Sequence, residues 1–187
     1  MKAMRAESFT GYGGLKLVEV PRPTLVAGRV LVRLTAAGVT PLDHTILSGG
    51  YPRATAPLVL GNEGAGVVDD PGNSALSVGT RVMFTGPYGV LENGTYGEWI
   101  AVRGEDLCPI PDKIDDATAG GMPVAYLTAQ ITLTPGGLRT GQDGPGAGHR
   151  GRGRQCGHPV GSSAGRRQGD LDDHQPGQGR ASTCPWV

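Results

Sequence analysis

Apolar patterning stops near Thr134, and this limits what the chain can fold into more than any other feature of its sequence. From Pro135 to Val187 there are 14 glycines in 53 residues and no Ile, Phe, Tyr, Met or Lys. The sizeable apolar side chains left are Leu138, Val160, Leu171, Trp186 and Val187, and they follow neither a 2-residue nor a 3.6-residue period. Such a segment buries too little apolar surface to offset its ordering entropy, so residues 135–187 are expected to be a Gly/Arg-rich, disordered tail. Any folded domain is expected within residues 1–134.

Those residues are rich in short strand signals. Leu15–Val20 alternates and ends at Pro21, and Arg29–Leu34 alternates too. Thr80–Phe84 is a third candidate strand. Gly97–Val102 is a fourth, following the turn-like Glu92-Asn93-Gly94. Short strands this dense, between Gly and Pro turns, predict a mainly β fold, a partly open barrel with a few short helices. Pro41–Leu47 reads as a helix with Thr40 as N-cap and proline at its first position. Asp115 or Asp116 caps a second helix through Ala117 to Gly120, and Pro123–Leu133 reads as a third.

The chain has 17 basic and 17 acidic residues, a balance that argues against bulk binding to nucleic acid or membrane surfaces. The N-terminus lacks the apolar run of a signal peptide, and no stretch reaches the length of a membrane span. A cytoplasmic location is the expectation.

Four motifs, in order, carry a family resemblance. Ala36-Ala37-Gly38-Val39-Thr40-Pro41-Leu42-Asp43 is similar to A-G-V-N-P-x-D, and Leu60-Gly61-Asn62-Glu63-Gly64-Ala65-Gly66-Val67-Val68 to a Gly-rich G-x-E-x-x-G-x-V. Val78-Gly79-Thr80-Arg81-Val82 is similar to a G-D-R-V turn, and Pro123-Val124-Ala125-Tyr126-Leu127-Thr128-Ala129 to a P-x-x-T-A helix. Together they resemble the GroES-like catalytic domain of medium-chain dehydrogenases/reductases, in particular the zinc-independent, quinone-oxidoreductase-like members. The glycines of the second motif are expected to turn the backbone at positive φ and to let it pack closely, and Glu63 is expected to orient neighbours rather than act as an acid.

The resemblance also speaks to chemistry. Zinc members hold the metal with a Cys and a His where this chain has Thr40 and Asn62, and the structural zinc lobe needs four clustered Cys where this chain offers only Cys108. It therefore implies no zinc, and direct hydride transfer from NADPH to a quinone or an enone. It puts Thr40 near both nicotinamide and substrate, Thr128 beside the nicotinamide and Tyr51 on the substrate side, where a phenol could steady an acceptor oxygen. Each residue also has a plainer role available, Thr40 as a helix cap, Thr128 as a helix contact and Tyr51 as loop. His44 reads as a helix-surface histidine. The complete enzymes of the family are often homodimers.

A dinucleotide fingerprint should follow, but the G-x-G spacings at Gly144, Gly146 and Gly148 neither leave a strand nor open a helix. Reading each codon one nucleotide late changes this. Gln142 with Asp143 becomes Lys or Arg, Asp143 with Gly144 becomes Thr or Met, and Gln155 with Cys156 becomes Asn or Ser. The shifted frame permits a strand, a Gly-rich turn and a helix start. The Rossmann domain is thus expected to be missing or frameshifted, with the break near Thr134 to Leu138, and the literal chain to be inactive. The alternative is a small binding module whose His149-Arg150-Gly151-Arg152-Gly153-Arg154 run contacts RNA through its phosphates.

Overall fold

The computed structural model describes residues 1–133. The expectations for the tail, including the frameshift and the RNA-contacting run, lie outside the described residues. The described residues are mainly β. A three-stranded antiparallel sheet has the order β2-β1-β4, formed by Lys2–Ala6 (β1), Leu15–Glu19 (β2) and Leu58–Val59 (β4). A five-stranded antiparallel sheet has the order β7-β3-β5-β6-β8, formed by Arg29–Ala37 (β3), Glu63–Asp70 (β5), Arg81–Thr85 (β6), Trp99–Arg103 (β7) and Leu107–Pro109 (β8). Pro41–Leu47 (α1), Asp116–Gly120 (α2) and Pro123–Leu133 (α3) are the helices. The larger sheet ends on β7 and β8, and each of these pairs on one side only, as a partly open barrel requires.

Period-2 alternation builds the main core. Val82 and Phe84 of β6 and Ile100 and Val102 of β7 point inward, meeting Val30, Val32, Val68, Leu107 and Tyr88. Tyr88 is fully buried with its ring edge-on to Phe84, centroids 5.7 Å apart. Its hydroxyl donates to Asp106 Oδ2 at 2.5 Å and accepts from the Arg103 N–H at 2.9 Å. Burial and the Asp106 hydrogen bond both push its pKa above the ordinary phenol range. A second cluster, including Ala6, Ile46, Leu47, Leu58 and Leu60, packs α1 against the smaller sheet. Asp115 caps α2 by accepting the Thr118 N–H at 2.8 Å. Asp116 is held by the Arg81 side chain, which fastens α2 to β6 and keeps the carboxyl below its usual range.

Three outcomes differ from the sequence reading. The strand Lys2–Ala6 has no large alternating apolar residues, and it forms because β2 and β4 pair with it from both sides. Arg29–Leu34 is extended to Ala37, because Ala36 and Ala37 continue the ladder opposite Ala65 and Gly64. The Gly-rich motif is not a run of positive-φ turns. Only Gly61, at φ 94°, takes that conformation, while Gly64 and Gly66 lie in a central strand. Close packing is what they serve. A methyl on Gly66 would run into the Arg33 carbonyl, and one on Gly64 would sit 2.9 Å from the Ala36 carbonyl oxygen.

Chain contacts divide the molecule into Met1–Val124 and Ala125–Val187. Thr128 belongs to the second unit, where it is an exposed residue of α3 whose carbonyl accepts the Thr132 hydroxyl at 2.7 Å.

Candidate active site

The pairing of β3 with β5 brings two sequence motifs together. Ala37, the last residue of β3, lies opposite Gly64 at the start of β5. The residues just beyond these strand ends, Gly38 to Thr40 on one side and Gly61 to Asn62 on the other, are therefore neighbours. Their meeting forms a buried polar cluster of Thr40, Asp43, Asn62, Glu63 and Thr95, all at most 7 % exposed.

Asp43 organises one half. It is the third residue of α1, so its carboxylate reaches back to the helix start, and Oδ2 accepts both the Thr40 N–H and the Thr40 hydroxyl at 2.8 Å. Oδ1 accepts the Gly61 N–H at 3.0 Å. Thr40 thus performs its capping role within the cluster. Its Oγ1 also stands 3.2 Å from Asn62 Oδ1. One hydroxyl proton cannot serve both oxygens, and the charged, closer Asp43 takes it. With its NH₂ turned toward Thr40, Asn62 then donates to the hydroxyl oxygen, which satisfies both groups.

Glu63 organises the other half. Its Oε2 accepts the Val124 N–H at 2.7 Å, its carbonyl accepts the Thr95 hydroxyl at 2.9 Å, and a methyl on Gly38 would collide with its carboxylate. Burial pushes the Glu63 pKa up; the Val124 N–H opposes this and the Asp43 charge adds to it. Every contact of its side chain is structural, in keeping with an orienting role.

The structure brings Thr40 and Asn62 together, as the family comparison of motifs implies. Tyr51 is partly buried against the apolar cluster that includes Ile46 and Leu58. His44 is exposed, with Nδ1 3.1 Å from the Tyr12 hydroxyl. Sequence reasoning missed two members of the group. Asp43 was signalled by its three-residue spacing from the cap Thr40, the spacing of a capping box. Tyr96 carried no signal. Its hydroxyl is buried, and burial first, then the charge of the Asp43 carboxylate and a loose side-chain contact with it, raise its pKa above the phenol range. It nevertheless has no hydrogen-bond partner of normal geometry among the described residues.

Residues 26–112 match the alcohol dehydrogenase GroES-like domain. The chain is 36% identical over 131 residues to a quinone oxidoreductase of Pseudomonas aeruginosa, covering 67% of this chain and 39% of that protein. It is 31% identical over 140 residues to a zinc-type alcohol dehydrogenase-like protein of Schizosaccharomyces pombe, covering 73% and 42%. Its fold matches a quinone oxidoreductase of Thermus thermophilus, solved also in complex with NADPH, with a TM-score of 0.63 and 31% identity over 76% of this chain and 43% of that one. The chain belongs to the quinone-oxidoreductase-like medium-chain dehydrogenases/reductases. This member spans 42% or less of the length of the first curated relatives it matches. Among its described residues, no three His, Cys, Asp or Glu side chains are grouped to hold a metal, and no helix is long and apolar enough to cross a membrane.

Proposed function

We propose that residues 1–134 are the substrate-side domain of a zinc-independent, NADPH-dependent oxidoreductase that passes a hydride to a quinone or an enone. The observation that carries this reading is the 3.2 Å approach of Thr40 Oγ1 to Asn62 Oδ1 inside a buried polar cluster. These two positions hold cysteine and histidine in the zinc members that the motifs resemble. A hydroxyl and an amide are neutral oxygen and nitrogen groups, unlike the thiolates and imidazoles that zinc sites favour. The nearby carboxylates are already engaged, Asp43 by three donors and Glu63 by the Val124 N–H. Zinc does not fit this donor set, and no step here depends on it. What remains is a hydroxyl able to turn and donate to an acceptor oxygen, which favours substrates activated without a Lewis acid.

The dinucleotide fits this domain only in part. A pyrophosphate is usually held at a free helix N-terminus. Here Asp43, Asp115 and Glu63 stand at the starts of α1, α2 and α3, so each described helix start already faces a carboxylate. The uncharged nicotinamide end suits the Thr40–Asn62 wall, and when bound it supplies the hydride. The rest of the cofactor needs a further domain, which the one-nucleotide shift after about Thr134 would encode. Thr128 beside the nicotinamide, Tyr51 on the substrate side and a cytoplasmic setting remain parts of this proposal.

The test uses a chain with the frame restored after Thr134. Thr40→Val should lower kcat/KM for NADPH-dependent reduction of 9,10-phenanthrenequinone at least tenfold, roughly the worth of a lost hydrogen bond in the transition state, while Thr40→Ser retains most of it. Unchanged kinetics in Thr40→Val would remove Thr40 from the site.

A further inference from the structure

For the Thr40 hydroxyl to donate to a bound acceptor, it must first leave Asp43 Oδ2, which it holds at 2.8 Å. That move strips a buried carboxylate of one of its three donors. An under-bonded buried charge is costly, so the release of Thr40 would be opposed unless another donor took its place. The cluster contains one candidate. The Tyr96 hydroxyl is buried beside Asp43 and has no hydrogen-bond partner of normal geometry among the described residues. The other donors around Asp43 are the backbone N–H groups of Thr40 and Gly61, and both are already committed.

We propose that Tyr96 is a positioning residue, a reserve donor that closes on Asp43 when the Thr40 hydroxyl turns to a ligand. The inference rests on the reading of Thr40 as the group that meets the acceptor oxygen. Tyr96 is well held for the task. Its ring packs with the cluster that includes Ile46 and Leu60, and it lies so close to Gly61 that a methyl there would sit 2.6 Å from the ring. An unpaired buried hydroxyl lowers stability, and the exchange of donors explains why the cluster carries one. No bond is made or broken in it; one hydrogen bond to Asp43 replaces another.

The exchange is testable without cofactor or substrate, by urea unfolding of the full 187-residue chain in a double-mutant cycle. Tyr96→Phe alone should leave the folding constant unchanged or raise it, because it removes an unpaired polar group. Thr40→Val alone should cost little, because Tyr96 takes over its bond to Asp43. Together they should cost about tenfold more in the folding constant than the product of the single effects, because Asp43 then loses both side-chain donors. Thr40→Ser keeps the hydroxyl and should show no such coupling to Tyr96→Phe. Additive effects within experimental error would overturn the inference, as would equal coupling in the serine variant. Failure of the underlying reading would look different: the cycle would still be coupled, but Thr40→Val would not alter quinone reduction in the frame-restored chain.

Discussion

The Glu63 carboxylate accepts the Val124 N–H at 2.7 Å across a sequence separation of 61, tying the start of the central strand to the second residue of α3. The bond places a negative charge at a helix start, where the helix dipole favours it, but burial works against the same charge. Burial wins, so the Glu63 pKa in the folded chain lies above the unfolded value. A carboxyl shifted in this way binds more protons when folded, so its contribution to stability is greatest below the unfolded pKa and is lost as pH rises through the folded one. Glu63→Gln removes this titration while keeping an acceptor for the Val124 N–H. The variant should therefore gain stability relative to the parent as pH rises from below 4.5 toward neutrality. Urea midpoints measured across that range check it, and parallel curves for the two proteins would contradict it.

Gly66 tests the packing role of the Gly-rich strand. A methyl there would run into the Arg33 carbonyl, which is backbone and has little room to give. Gly66→Ala should cost about 1–3 kcal/mol, the usual range for overpacking a well-filled core. Gly79, also at positive φ but with open space around its Cβ direction, should lose stability only through the strained backbone conformation. Equal stability of Gly66→Ala and the parent in urea would show that β3 and β5 can separate locally.

Tyr88 joins the barrel interior to the Arg103 backbone and to Asp106. Tyr88→Phe keeps the edge-on ring contact but leaves the part-buried Arg103 N–H without this acceptor and Asp106 without this donor. A loss of about 1–3 kcal/mol is expected from two part-buried hydrogen bonds at the usual net worth of each. A change in urea midpoint without a change in slope is the signature of that loss.

Much of this architecture was legible in the chain. Alternation marked Leu15–Val20 and Arg29–Leu34, short strand signals marked Thr80–Phe84 and Gly97–Val102, and cap chemistry marked Pro41–Leu47, each overlapping an element of the fold. These signals are local. β1 escaped notice because its buried residues, Ala3 and Ala6, are small and its strand character comes from partners on both sides. β5 was obscured because Gly64 and Gly66 suit a turn as well as a close strand pair, and only the carbonyls of β3 decide between the two. At the site, Thr40 and Asn62 could be named from motif positions, whereas the orphan hydroxyl of Tyr96 depends on where Asp43 comes to rest in three dimensions.

Metal content separates the proposed chemistry from that of the zinc-type relative. Purified protein should carry no stoichiometric zinc, since Thr40 and Asn62 replace the metal's usual ligands and both carboxylates nearby are engaged. Elemental analysis that found one tightly held zinc per chain would contradict this.

The central claim is that this chain carries the substrate-side half of a metal-free hydride-transfer enzyme. The most direct test compares two proteins in the presence of a strong zinc chelator, the 187-residue chain and a version with the reading frame restored after Thr134. The measurement is NADPH-dependent reduction of 9,10-phenanthrenequinone. The restored protein should turn over quinone at a rate the chelator does not change, and the 187-residue chain should be inactive, because its described helix starts leave no place for a pyrophosphate. Silence from the restored protein, or activity that the chelator abolishes, would contradict the account.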